Sequence, residues 1–381
     1  MDGTALIYCE GALGTQRGRT ANNLLRYGTR YQVVGVIDSR HAGRPAREVV
    51  EGANCDALVF ADLAQALAGL GEKPRYLVVG LSPDDNRLPL SARHVIGEAV
   101  KLRINVDCAL RPFLRDDAEL PQLAMLGAEL RSVGYPVPLA RLRSYTESIE
   151  RVRAFKVAVT GTTPPVGGKN MTAVRLADSL KSWGVRAEMI GTSESAWFQG
   201  LRHSVILDSI LHSYIAGEIE AVIVQAEEVA TPQVMVLEGR GSLLDRAQPA
   251  DLELLTTARP DAVILQHAPL HESFSPDDVF GVKSVERHIK AIEALADKRV
   301  VALALSHTEE DRQSFVEAYE SLRAHFRLPV VDVLADGCAA LAGLIAAYLR
   351  AEWRPAAVAR NPQLHSVAEA AREQVIAPDK S

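Results

Sequence analysis

Phe155-Lys-Val-Ala-Val-Thr160 runs into Gly161-Thr-Thr-Pro-Pro-Val-Gly-Gly-Lys169-Asn-Met-Thr172, an order that predicts a buried strand, a glycine-rich turn and the first turn of a helix. Such a loop turns successive backbone N–H groups toward one point. The helix that follows adds its positive N-terminal dipole, and a lysine beside the last glycine supplies a cation. The grammar is that of a phosphate-binding loop for a nucleotide or a pyrophosphate-bearing coenzyme. Its spacing is irregular: six residues separate Gly161 from Gly168, five separate Gly161 from Gly167, and Asn170 stands where a magnesium-binding hydroxyl is usual. Thr172, Thr162 and Thr163 are the hydroxyls within reach. Val174, Leu176, Ala177 and Leu180 give the helix an apolar face. An ordinary glycine-rich strand-to-helix turn is the alternative.

Outward from this loop, apolar runs bounded by glycine alternate with helical patterns, which predicts an α/β chain of parallel sheets covered by helices. At 381 residues the chain is longer than one core usually supports. The expected division is a Rossmann-like domain over 1–134, a linker over 135–152, a P-loop domain over 153–350 and a tail over 351–381. In the first domain strands are expected at 5–9, 33–37, 57–60, 76–81 and 104–106, with helices near 18–27, 62–70, 91–101 and 117–131. In the second, strands are expected near 186–190, 221–224, 233–237, 261–266, 299–305 and 329–333. His203 and His212 are read as lying in a helix.

Parallel sheets bind ligands outside the carboxyl ends of their strands. Glu238-Gly-Arg-Gly-Ser242 follows Val234-Met-Val-Leu and places an acid at such an end, where it could hold magnesium with Thr172. Arg240 and Ser242 are candidates to orient a substrate carboxylate. His267 and His307 close two further strands, and His267 is the candidate general base. In the first domain Glu10-Gly-Ala-Leu-Gly-Thr-Gln-Arg-Gly follows a strand and Asp38 closes the next. The glycine spacing is not that of a dinucleotide fingerprint. Arg17, Arg19 and Thr20 could grip an anion there instead.

The net charge of −6, with no concentrated basic tract, argues against a nucleic-acid protein. A small substrate is expected. The four cysteines lack metal-ligand spacing and are read as reduced and mostly buried. No apolar run reaches membrane-spanning length and no secretory leader is evident, so a cytoplasmic protein is expected.

Glu10-Gly, Arg19-Thr-Ala, Leu25-Arg-Tyr27, Val36-Ile-Asp-Ser39 and Ala42-Gly43, followed by the phosphate loop, Tyr214-Ile-Ala-Gly217 with Glu220, Glu238-Gly-Arg-Gly-Ser-Leu and Pro260-Asp-Ala-Val-Ile-Leu-Gln-His267, resemble the DgcN family of D-glutamate N-acetyltransferases. The likeness covers roughly 5–335 and identifies a divergent member. The second domain is also similar to dethiobiotin synthetase, whose loop and acidic motif bind ATP and magnesium, with Glu238 as the matching acid. Thr163-Pro-Pro stands where the family carries an acid, and the family's His-Pro is replaced near Asp245-Arg246.

The resemblance implies an N-acyltransferase in which Gly161, Thr162, Thr163, Gly167, Gly168, Lys169, Asn170 and Thr172 hold acetyl-CoA and a small acidic amino acid such as D-glutamate is acylated. Lys169, Glu238, Arg240 and His267 are then the catalytic candidates. An ATP- and Mg2+-dependent ligase or kinase that makes an acyl phosphate is the alternative, with Thr172 and Glu238 on the metal. A nucleotide-gated regulatory protein is a third reading. A homo-oligomer, a dimer by analogy, is expected.

Overall fold

A computed structural model of the chain describes residues 1–163, 168–245, 250–270, 278–307 and 312–352. Gly167, Arg246 and the tail beyond 352 lie outside them. The chain forms two compact units. The first comprises Met1–Leu139 together with Ser193–Arg202 and Ile206–Ile210, and the second comprises Ala140–Thr192, His203–Val205 and the chain from Leu211 onward.

The first unit runs β1 (Gly3–Tyr8), α1 (Arg19–Tyr27), β2 (Tyr31–Ile37), β3 (Leu58–Phe60), α2 (Leu63–Gly69), β4 (Tyr76–Val79), α3 (Leu90–Lys101), β5 (Asn105–Cys108), α4 (Leu120–Ala124) and β6 (Leu130–Ser132). Its strands are parallel in the order β3-β2-β1-β4-β5-β6, the Rossmann order with its switch point between β1 and β4. Ala5, Leu6, Ile7, Leu77 and Val78 are fully buried, because helices cover both faces of such a sheet. The expected helix over 117–131 is corrected: helix spans only Leu120–Ala124, and Leu130–Ser132 is a sixth strand. That strand carries Arg131 rather than an apolar run, and Arg131 meets Asp107 across the ladder.

The second unit continues with β7 (Phe155–Gly161), α5 (Lys169–Ser182) and β8 (Ala187–Gly191). Helix α6 (Glu194–Gln199) belongs to the first unit, where it packs on α1. The second unit resumes with β9 (His203–Ser204), α7 (Ile215–Ala230), β10 (Val234–Ser242), α8 (Leu252–Ala258), β11 (Ala262–His267), α9 (Val282–Ala296), β12 (Val300–Leu305), α10 (Arg312–His325), β13 (Val330–Asp332) and α11 (Ala339–Glu352). Its parallel order is β13-β12-β11-β7-β10-β8-β9, so the strand feeding the glycine loop is central.

Three expectations are corrected here. Residues 221–224 lie inside α7, and His203 and His212 lie in a short strand and a single 3-10 turn. The apolar run Ala221-Val-Ile-Val fits a strand or a helix equally well by itself. The helical stripe of α7 is disguised because two of its buried positions are glutamates. Glu218 accepts from the Arg143 amide at 2.7 Å, and Glu220 accepts from the Thr146 amide at 2.7 Å. These carboxylates tie the segment 143–149 to the second unit. Cys9, Cys108 and Cys338 are buried free thiols, and Cys55 is half-buried.

Candidate functional site

Strand β7 ends at Gly161 between β10 and β11, and α5 begins at Lys169. Gly168 takes a left-handed conformation, φ +76°, at the helix start, a backbone shape that glycine adopts without strain. Lys169 is buried and its Nζ donates to the Thr163 carbonyl at 3.1 Å. A side chain on Gly161 would stand 2.9 Å from that nitrogen, so the glycine keeps open the space the ammonium occupies.

The flanking strand ends assemble around this turn. The β10 ladder with β7 breaks between Glu238 and Ser242, whose partners are Val159 and Gly161, and Gly239-Arg-Gly241 form the excursion. Glu238 is buried. Asn170 donates to its Oε1 at 2.7 Å and the Thr192 amide to its Oε2 at 2.8 Å. The Thr172 hydroxyl, fully buried, donates to Gln266 Oε1 at 2.5 Å. Both proposed magnesium ligands are therefore already hydrogen-bonded within the protein, and an ion at Glu238 Oε1 would have to displace Asn170. Among the described residues no cluster of three His, Cys, Asp or Glu side chains is arranged to hold a metal.

His267 lies behind Thr162. Its Nε2 is 2.7 Å from the Phe280 carbonyl, which can only accept, so Nε2 carries the proton. Its Nδ1 then accepts from the Thr162 hydroxyl at 2.7 Å. His267 is fully buried, so it reaches the loop through that hydroxyl. Ser242 is also turned inward: its hydroxyl donates to His288 Nε2 at 2.8 Å, while His288 Nδ1 donates to the Ser284 carbonyl at 2.8 Å. Burial holds the His288 imidazole below its ordinary range. Arg240 is half-buried. His307 pairs with Asp332 at 3.2 Å and stacks on Phe315.

Sequence reasoning missed Asp251. Asp251 is the residue before α8, yet it sits at φ +74°, its side chain makes no cap hydrogen bond and its carboxylate is buried. Oδ1 accepts the Arg240 amide at 2.7 Å, and the buried Oδ2 has no hydrogen-bond partner among the described residues. Burial pushes the carboxyl up to about 6, while the Lys169 charge pulls it down. The group is thus a counter-charge to the loop lysine that disappears on mild acidification. Folding takes up a proton here between the ordinary value of 3.8 and about 6, so this contribution to stability is present below 3.8 and lost as pH rises through 6.

A binding consequence follows. Asp251→Asn should bind ADP roughly three- to tenfold more tightly than the wild type at pH 7.5, and the two should converge near pH 5.5. Calorimetric titration at both pH values checks this; parallel pH profiles would remove Asp251 from the loop's electrostatics.

In the Rossmann-like unit, four amides of the turn after β1 donate within the protein. Ala12 and Thr15 donate to the Cys9 and Ala12 carbonyls, Leu13 to Asp38 Oδ2 at 2.9 Å, and Gly14 to Asn22 Oδ1 at 3.1 Å. Asp38 is fully buried by this role, so the acid a dinucleotide ribose would meet is turned away from the crevice.

A central strand, a glycine turn and a helix opening on a buried lysine define a P-loop domain, and the first unit is Rossmann-like. Residues 143–342 match the family described as a domain of unknown function (DUF1611_C), P-loop domain, and residues 39–134 match its companion, described as the DUF1611_N Rossmann-like domain. The chain belongs to the DUF1611 family. It is similar to a DUF1611 family protein from Anabaena variabilis, solved by crystallography, with a TM-score of 0.77 and 23% identity over 90% of this chain and 98% of that one. That likeness is one of fold. The MinD cell division protein of Aquifex aeolicus aligns at a TM-score of 0.32 and 13% identity over 60% of this chain and 99% of that one, too low to carry an argument. No curated protein matches the chain. Among the described residues no helix is long and apolar enough to cross a membrane.

Proposed function

We propose that the P-loop unit binds the pyrophosphate of a coenzyme or nucleotide and that the protein is a small-molecule N-acyltransferase. Acetyl-CoA is the donor, and a small acidic amino acid such as D-glutamate is the acceptor. The observation that carries the binding half is the Lys169 ammonium, buried at the start of α5 and kept over Gly161 by the left-handed Gly168. An ammonium held out of water interacts strongly with a phosphate oxygen. The acyl-transfer half rests on the resemblance to the DgcN family.

The chemistry needs a proton acceptor for the amine. His267 Nδ1 is the basic atom of a pair whose hydroxyl member, Thr162, stands on the loop. As the amine nitrogen forms its bond to the thioester carbonyl, its proton passes to Thr162 Oγ1 while the hydroxyl proton moves to His267 Nδ1. Collapse of the tetrahedral intermediate breaks the carbon–sulfur bond, and the leaving thiolate takes up the amine's proton from His267 by the reverse relay, releasing the free thiol and the amide.

A second reading is phosphoryl transfer from ATP to a carboxylate. Its support is Glu238, a buried acid held at the strand end beside the loop. Incubating the protein with an amino-acid library plus acetyl-CoA, ATP or both, with mass analysis of products, separates the readings. An N-acetylated acidic amino acid formed without ATP is expected. Product only with ATP would replace acyl transfer by ligation, and no product with either donor would remove both.

A further inference from the structure

Two buried oxygens beside the end of β7, Thr160 Oγ1 and Asp251 Oδ2, have no hydrogen-bond partner among the described residues. They belong to one locale. A Cβ built on Gly239 would stand 2.7 Å from Asp251 Oδ2, 2.5 Å from the Val159 carbonyl oxygen and 3.1 Å from the Thr160 Cα. Glycine at 239 therefore admits the carboxylate against the end of β7. On its other side Oδ1 accepts the Arg240 amide at 2.7 Å, which fixes the orientation of the group. A carboxylate oxygen held out of water with nothing to accept from is costly unless a donor meets it.

Thr160 shares a face with Thr162. Side chains alternate along a strand, and the parallel ladder continues past Gly161, since the Thr162 amide donates to the Gln266 carbonyl at 3.0 Å. Gly161, between the two threonines, faces the Lys169 side chain. The loop cation thus stands on one face of β7 and the threonine hydroxyls on the other. Thr162 Oγ1 donates to His267 Nδ1 at 2.7 Å, and a hydroxyl that donates can still accept.

We propose that Asp251 Oδ2, Thr160 Oγ1 and Thr162 Oγ1 form the seat of the acceptor's ammonium group. An ammonium brings three donors and no acceptor, which matches one carboxylate oxygen and two hydroxyl oxygens, whereas a phosphate or carboxylate at this point would be repelled by Asp251. The seat selects a primary amine over the same acid without one, and it sets the nitrogen beside the hydroxyl that takes its proton in acyl transfer. For the choice of an amine the inference rests on that reading.

Calorimetry of the full chain at pH 7.5, where Asp251 is charged, with D-glutamate and D-aspartate, each beside its deaminated counterpart glutarate or succinate, tests it. The wild type should bind at least one amino acid about tenfold or more tightly than its counterpart. Asp251→Asn should bring the two within about twofold, and Thr160→Val should lose part of the preference. ADP should bind more tightly to the same Asp251→Asn protein, so amine and nucleotide affinities move in opposite directions, which a merely structural role of Asp251 would not produce. No preference in the wild type, a preference intact in Asp251→Asn, or equal weakening of amine and ADP in that variant would each overturn the proposal. Loss of Mg2+ binding in Asp251→Asn without any amine preference in the wild type would give the carboxylate to a metal instead. Should Asp251→Asn not fold, an unchanged preference in Thr160→Val overturns the seat equally. Amine preference without ADP or acetyl-CoA binding would sink the P-loop reading and leave the seat standing; coenzyme binding without the preference would sink the seat alone.

Discussion

Lys169→Met should weaken binding of both acetyl-CoA and ADP by about a hundredfold while leaving the protein folded. The side chain is buried, its ammonium donates to the Thr163 carbonyl, and it faces the counter-charge of Asp251. A charge-assisted hydrogen bond contributes about 1.5–3 kcal/mol, and the attraction of a phosphate for a desolvated cation adds to it. Methionine keeps most of the volume in α5, so the helix retains its packing against β10 and β8. Calorimetric titration and thermal unfolding measure the two effects separately. Wild-type affinity in a folded Lys169→Met protein would take the loop, and with it the coenzyme, out of the proposed chemistry. A protein that loses binding only because it unfolds would show it in the second measurement.

The loop was legible because strand, glycine and lysine chemistry is local: Gly161, Gly168 and Lys169 adjoin within one turn. The place of Glu238 in a strand beside the loop was legible for the same reason, as an acid ending an apolar run. What escaped is what depends on contacts distant in sequence. Asp251 has no local signature of its place and becomes a buried counter-charge only because β10 brings the Arg240 amide to it. His267 reads as a candidate base closing a strand, but it is fully buried, and the Phe280 carbonyl, on a 3-10 turn ahead of α9, fixes its tautomer. Glu194, in the middle of the P-loop half of the sequence, folds with the Rossmann-like unit, which no local pattern announces. Strand β6 was hidden because its binding energy is ionic rather than apolar.

That ionic pairing carries the largest expected effect on stability. Asp107 in β5 is fully buried and accepts from Arg131 Nε and Nη2, both at 2.5 Å, and from the Tyr31 hydroxyl at 2.5 Å. Asp2 accepts from the same guanidinium at 2.8 Å. Burial and the Asp107 charge drive the Tyr31 phenol well above its usual range, so the tyrosine stays a donor. Arg131→Met removes two charge-assisted donors and strands a carboxylate in the sheet, a loss of about 3–5 kcal/mol, with the lower end favoured because Arg131 is 22% exposed. Replacing both partners, Arg131→Met with Asp107→Leu, removes the stranded charge and should recover about half of that loss. Urea unfolding of the wild type, the two single variants and the double variant closes the cycle. If the double variant were as unstable as the sum of the singles, the pair would be uncoupled, and β6 would owe its place at the sheet edge to backbone hydrogen bonding alone.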